Sequence, residues 1–504
     1  MQKLKLRNFV AYGMGDIFGG GAFTLIGTFF LIFLTNNVGL SPWLAGLIFG
    51  LGRFWLAIVD PIVGNLSDSI RTRFGRRRVF FLIGFIPVLF TFIPLWMSPI
   101  AVNADGSNQW TVFCYYLFMY CIFDFTYSIL DTPYAALAAD MSYDYKERVY
   151  LSAFRMGFSQ FSAILSTAVA PMLLLSYSYG AKHYTNHAFV VMASFFAVIY
   201  SVVWIFVFFG TREITPKNNY KEVAMRWFLV PFTGFINFLS AFKNKTFRYH
   251  LGLFLFAFAG LDILMSFSAY YINVYLQKPE LMSYVSSMWI VQLLVLPIYV
   301  LIANKFSKAA AYRIGASIWF LAVIFLVHLT PENATPMMVS LHFGLIGLGL
   351  SACYVMPITM LSFVTEVDTL MTCKRRTGIY AGGMSFARKL SQGLIILPGI
   401  GILLSVIGYK KDAITQPAET LFYLHWTFIL LPLVFIAIGF MFSLKFALNR
   451  KNFHLIQKEV LRLENGDTAE SQCHDTRSLC REVTGKSYKG LIDTWRDFYA
   501  KNRS

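Results

Sequence analysis

Charge is scarce in this chain of 504 residues: Asp, Glu, Lys and Arg together make up 14%, against about 25% in ordinary soluble proteins. So little charge cannot clothe a water-facing surface, which excludes most cytosolic enzymes and disordered chains. Cysteine is sparse as well, with six residues. Cys114, Cys121 and Cys353 fall in apolar runs, and Cys373, Cys473 and Cys480 in basic segments, so no secreted-type disulfide framework is expected. Cys473, His474 and Cys480 lack a fourth ligand and finger spacing, and no metal is expected there. A Ser/His/Asp arrangement, an HExxH helix and a nucleotide-phosphate loop are all missing, so no enzyme and no cofactor are expected. The apolar stretch from Val10 to Thr35 is too long for a signal h-region and lacks a convincing cleavage site, and it reads as a retained membrane helix.

What the chain has instead is apolar mass. Hydrophobic residues make up 57% and phenylalanine alone occurs 51 times, with a mean hydropathy of +0.58. The class is integral membrane protein, and the expected partner is the bilayer of a plasma membrane. The net charge of +17 would suggest nucleic acid if the basic residues shared one soluble domain. Here they punctuate apolar runs, so no nucleic acid is expected.

A template of about 20 apolar residues finds runs near 8–36, 43–66, 78–98, 111–139, 149–177 and 186–210. A second set follows near 248–277, 284–304, 312–330, 335–364, 379–408 and 421–448. The expectation is therefore an all-α membrane protein with twelve spans in two six-helix pseudo-repeats, residues 1–210 and 248–448. A basic connector, 211–247, whose apolar middle from Met225 to Phe242 suits the inner membrane face, separates them, and a mixed tail, 449–504, follows. That tail offers one short amphipathic helix, Phe453 to Leu463. Lys and Arg concentrate in alternate loops, including Arg71 to Arg78, Lys305 to Arg313 and Lys374 to Arg376, which predicts that both termini are cytoplasmic. A faint internal repeat lays Pro61-Ile62 on Pro297-Ile298, as parallel repeats of the major facilitator kind would.

Ionisable residues inside spans cost about 2.5–3.5 kcal/mol each on insertion scales and so mark function by default. At 1.5 Å per residue, Asp16, Asp60, Asp124, Asp131, Arg155, Asp262 and Lys389 share a layer from the midplane to the inner half. Asp60 and Asp131 are candidates for reversible neutralisation by a proton or an alkali cation. Asp124 and Asp131 are seven apart on one helix face with Tyr127 and Ser128 between them, an oxygen set suited to a hard cation. Tyr127, Tyr134 and Trp55 are candidate platforms for a sugar ring, while Arg53, Arg155 and Arg388 are equally suited to balancing carboxylates. The string GNLSDSIRTRFGRRR sets Asp68 among arginines, and Asp68, Arg73, Arg76 and Arg77 are candidates for a latch between the halves. The glycines Gly19, Gly20 and Gly21 make a packing notch or a flexible point.

Four blocks then carry a resemblance: YGMGD (Tyr12 to Asp16), RFWLAIVDPIVG (Arg53 to Gly64), YSILDTPYAALA (Tyr127 to Ala138), and the region from Lys374 through RRTGIYAGGMSFARKLSQGL to Leu394. With NKTFR (Asn244 to Arg248), they resemble the glycoside-pentoside-hexuronide cation symporters, the melibiose permease family of the major facilitator superfamily. The resemblance implies cation-coupling roles for Asp60, Asp131 and the Ser128 hydroxyl, with Lys389 close by and Arg155 on the sugar. Three departures stand out: Leu56 replaces a first carboxylate of the cation site, Gly20 a sugar-binding aspartate and Ala135 a sugar-packing tryptophan. Asp16, one turn before Gly20, is placed to take over the lost polar role. Substrate contacts are thus expected from Asp16, Gly20, Tyr127, Tyr134, Arg155 and Asp262, and cation coupling from Asp60, Asp131, Ser128, Asp124 and Lys389.

The resulting expectation is a monomeric secondary active transporter of a sugar, glycoside or uronide, coupled to H⁺ or Na⁺. The alternatives are an uncoupled facilitator, a permease for an amphipathic solute such as a lysolipid, and a transporter-like sensor.

Overall fold

In lipid no water is present to satisfy backbone amides, so a spanning chain must satisfy them within its own helices. The computed structural model describes residues 3–503 apart from 71, 104, 143, 179–183, 214–235, 237, 238, 375, 411–415, 470 and 472. Every regular element among the described residues is helical.

Among the described residues, twelve helices are long and apolar enough to cross a membrane. They are α1 (Leu6–Phe30), α2 (Pro42–Gly64), α3 (Arg78–Leu95), α4 (Gln109–Ala138), α5 (Lys146–Ser176) and α6 (Asn186–Gly210). The second set comprises α7 (Lys245–Tyr275), α8 (Pro279–Lys305), α9 (Lys308–His328), α10 (Pro336–Thr372), α11 (Thr377–Val406) and α12 (Ala418–Leu444). Their starts are capped by polar side chains. Ser307 accepts the amide of Ala310 at 3.0 Å, Thr185 that of Ala188 at 3.2 Å, and Asn244 of the NKTFR block that of Phe247 at 3.2 Å. Pro61 and Pro297 both lie inside their helices, α2 and α8, where the sequence repeat puts them. Widened π turns interrupt α1 at Ile26–Phe30, α7 at Tyr271–Tyr275 and α11 at Ser391–Ile396.

Helices α1 to α6 pack among themselves, as do α7 to α12, and three seams join the two sets: α1 on α7, α2 on α11 and α5 on α8. Deeper in the seams Ser266 donates to the Gly27 carbonyl at 2.9 Å, and further hydrogen bonds lie at the end remote from the chain termini. There Thr35 pairs with Tyr270 at 2.8 Å, Tyr409 donates to Asn36 at 2.7 Å, and Tyr184 donates to Asn273 at 3.2 Å. The α2/α11 seam is close because it is built of glycine. A Cβ on Gly46 would stand 2.9 Å from the Leu397 carbonyl oxygen, and one on Gly401 3.2 Å from the Gly46 Cα. At the terminal end the described hydrogen bonds stay within one set, as in Asn8 to Gly210 and Asn244 to Val364. Among the described residues, the end remote from the termini is thus bridged by hydrogen bonds between the two sets.

The tail is more ordered than its sequence suggests. Besides the expected amphipathic helix, now α13 (Arg450–Glu464), it forms α14 (His474–Thr484) and α15 (Tyr488–Arg503). All three dock on the terminal end of the second set. Phe453 stacks on Phe363 with centroids 4.0 Å apart, Thr246 donates to the Val483 carbonyl at 2.7 Å, and the Trp495 indole to that of Leu370 at 3.0 Å. Most of the expected connector, including the greater part of Met225 to Phe242, lies outside the described residues.

Candidate functional site

Between the two sets lies a cavity of about 570 Å³. Of the residues expected at the site, Asp16, Gly20, Tyr127, Asp131, Arg155, Asp262 and Lys389 line it. Arg53, Arg388, Gln392, Trp289 and Tyr354 line it too.

The charges sort into separate groups. On α5, Arg155 forks between two carboxylates, with Nε on Asp16 of α1 at 3.0 Å and Nη2 on Asp131 of α4 at 3.1 Å. Its guanidinium lies 4.8 Å over the Tyr134 ring. Tyr134 itself is fully buried, stacked on Tyr12 and donating to the Tyr12 carbonyl at 2.7 Å. It therefore supports Arg155 from behind rather than facing the cavity, unlike the expected sugar platform. In the second set, Arg388 of α11 grips Asp262 of α7 with two bonds of 3.0 and 3.1 Å, its head over the Phe258 ring. The third group bridges the sets: the Lys389 ammonium of α11 pairs with Asp60 of α2, and the Ser128 hydroxyl donates to the other Asp60 oxygen at 2.7 Å.

The expected single cage of Asp60, Asp124, Asp131 and Ser128 is thereby divided. Seven helical residues separate Asp124 from Asp131 by roughly 10 Å along the axis, too far for one cation with ligands at about 2.5 Å. Asp131 goes to Arg155, while Asp124 is fully buried beside Tyr120, both of its oxygens without a hydrogen bond. Gly20 meets the cavity wall, but a Cβ there would come within 2.7 Å of the Ser159 carbonyl oxygen. An aspartate has no room at that place, which accounts for the departure seen in the sequence. Trp55 is 40% exposed, donates to the Cys121 carbonyl and does not line the cavity.

Three of the residues expected in a latch between halves have contacts inside the first set. Arg76 and Arg77 pair with Asp140, at 3.1 and 2.5 Å, inside the first set, and Arg73 lies over the Phe74 ring. Glu213 collects the backbone amides of Arg76, Arg77 and Arg78 at 2.7, 2.8 and 2.8 Å. The side chain of Asp68 lies outside the described residues. At the matching end of the second set, buried Asp368 accepts from Arg376 at 2.6 Å and Tyr380 at 2.7 Å, and that hydrogen bonding raises the Arg376 guanidinium above its ordinary value.

The family described as MFS/sugar transport protein matches residues 11–450. The chain belongs to this family. The transporter is similar over nearly its whole length to the glucuronide carrier protein homolog of Escherichia coli, with 24% identity covering 91% of this chain and 96% of that protein. It is similar also to the sodium-dependent lysophosphatidylcholine symporter 1-A of Danio rerio, 24% identical over 90% of this chain and 88% of the other. Among solved structures, the D-xylose-proton symporter superposes with a TM-score of 0.56 at 13% identity, over 88% of this chain and 97% of that one, a likeness of fold alone. The glycoside-pentoside-hexuronide resemblance and the multi-pass membrane class of the sequence reading both hold for this transporter.

The sequence leaves Arg53 and Arg388 open between a functional and a charge-balancing role and does not single out Gln392, yet all three face the cavity. Gln392 had a signal: it follows Arg388 and Lys389 by about one turn inside an apolar run.

Proposed function

We propose that this transporter is a symporter that moves a sugar, glycoside or uronide together with a proton by alternating access between two halves, residues 1–210 and 248–448. The observation that carries the reading is the cavity at the seam, bridged by hydrogen bonds between the sets at the end remote from the termini, whose wall alternates carboxylates and bases with Tyr127, Trp289 and Tyr354. Hydroxyl-rich solutes are held by such bidentate charged groups and aromatic faces. The basic loops put both termini in the cytoplasm, so the bridged end of the cavity faces outward. Asp60, Ser128 and Lys389 form the coupling group, with Asp131 and Asp16 sharing Arg155. A proton fits this group better than Na⁺, because Ser128 and Lys389 already occupy Asp60 and Leu56 adds no second carboxylate.

One observation favours a second reading, a permease for an amphipathic solute such as a lysolipid. A further cavity of about 610 Å³ between α5, α8 and α10 shares Asp16 and Arg155 with the first and is walled by Met156, Leu293, Leu296 and Val355. The test is counterflow in proteoliposomes with a labelled panel of sugars, glycosides, uronides and lysolipids, at varied pH and Na⁺. Exchange of a sugar-class solute, driven uphill by ΔpH, is expected. Binding without counterflow would make the protein a sensor, and counterflow of lysolipids alone would establish the second reading.

A further inference from the structure

Four cations face the central cavity, and three have a carboxylate in direct contact: Arg155 with Asp16 and Asp131, Arg388 with Asp262, and Lys389 with Asp60. Arg53 is the exception. It is 6% exposed and makes no hydrogen bond among the described residues; its Nε is buried without a partner and no carboxylate oxygen comes within 4.0 Å. The face of Phe23, 4.1 Å from its guanidinium carbon, is its recorded contact. Its stem is fixed by the π turn of α11, where a Cβ on Gly393 would stand 3.1 Å from the Arg53 Cγ. Leu56, one turn on along α2, also lines the cavity and carries no charge. Asp124 and Asp262 act on Arg53 through space, but neither is in direct contact: Asp124 is fully buried and does not line the cavity, and Asp262 is held by Arg388.

A guanidinium removed from water with no carboxylate in direct contact and no hydrogen bond is under-compensated, and a ligand oxyanion that supplies both recovers that cost. We propose that Arg53 is the recognition group for an anionic substituent, so that the transported solute carries a carboxylate, sulfonate or phosphate. This inference deepens the proposed function and rests on its assignment of the central cavity to substrate. The three paired cations are held by their own acids, and Arg53 has two terminal nitrogens left for a bidentate grip on a planar or tetrahedral oxyanion.

The test compares matched ligand pairs, labelled, on the purified full-length protein in nanodiscs. One pair is nitrophenyl β-glucuronide against nitrophenyl β-glucoside; the other is lysophosphatidylglycerol against monoacylglycerol. In at least one pair the anion should bind about tenfold or more tighter than its neutral partner, as a charged hydrogen-bonding pair warrants. Arg53→Gln should reduce that preference to about twofold or less. Leu56→Asp, which offers Arg53 an internal partner one turn away, should do the same while leaving the guanidinium in place, and it covers the case in which Arg53→Gln does not fold. If the amphiphile pair shows this pattern and the glycosides do not bind, the sugar reading falls and the anion site stands. Equal binding of neutral and anionic members, a preference that survives Arg53→Gln or Leu56→Asp, or no binding of either anion would overturn the inference.

Discussion

Lys389→Ala should turn a poor sodium site into a usable one. In the wild type the ammonium of Lys389 sits on Asp60, and Ser128 donates to the second oxygen, so an incoming Na⁺ must displace an internal cation. Two unit charges at about 4 Å attract by roughly 4 kcal/mol at an effective dielectric of about 20. The side chains of Lys389 and Asp60 are 24% and 25% exposed, so solvent screening reduces the net barrier to about half of that, ~2 kcal/mol. At 1.4 kcal/mol per decade, this predicts sodium affinity about 30-fold higher in Lys389→Ala than in wild type. The assay is binding of radioactive sodium to purified protein, which needs no knowledge of the solute, with Lys389→Arg as the control that keeps the charge. Equal sodium binding by wild type and Lys389→Ala, both monodisperse, would refute the idea that the ammonium occupies the place of a coupling cation.

Other outcomes follow from the same geometry. Asp131→Asn should abolish gradient-driven uptake while counterflow survives, because an amide cannot carry a proton although Arg155 keeps Asp16; uphill accumulation in the variant would remove Asp131 from coupling. Gly401→Val should weaken the bridged end of the α2/α11 seam, since added atoms would collide with the Pro42 carbonyl; cysteine crosslinking between α2 and α11 at that end should fall, and unchanged crosslinking would count against the seam. Trp495→Ala empties a buried site and removes the indole bond to Leu370, costing about 3 kcal/mol of tail docking. Limited proteolysis between α13 and α15 should then accelerate roughly 100-fold, and an unchanged rate would mean that the tail is held elsewhere.

The spans were legible because lipid demands long apolar runs, and their helices agree with those runs to within a few residues at most ends. The discrepancies have local causes. α8 begins at Pro279 with a 3-10 segment through Ser286, whose polar residues hid it from an apolar template. α10 continues to Thr372, beyond the expected 364, because Asp368 is paid for by Arg376 and Tyr380 rather than by water. Intramembrane charge was conspicuous for the same reason that it is costly, so the layer of Asp16, Asp131, Arg155, Asp262 and Lys389 could be read. Which acid meets which base could not, since pairing depends on helix rotation about the seams. Arg53 and Arg388 look alike in the sequence, and the difference between a paired and an unpaired guanidinium exists only in three dimensions. In the tail, Leu491, Ile492, Trp495 and Tyr499 form a helical stripe, too short to be convincing without the membrane helices on which it docks.

The placement of the pairs bears on how coupling can work. Arg155 with Asp16 and Asp131 lies wholly within α1 to α6, and Arg388 with Asp262 wholly within α7 to α12, so neither is stretched when one set rocks against the other. Lys389 with Asp60 is different, because it ties α11 to α2. Any movement that parts these helices must break it, and a bare carboxylate facing a bare ammonium makes that movement expensive. In the proposed cycle a proton on Asp60 removes the attraction, while the anion of the solute is held by Arg53. The two cargoes thus act on different charges: the proton on the one cavity pair that ties the two sets together, and the solute on the cavity cation that has no carboxylate in direct contact.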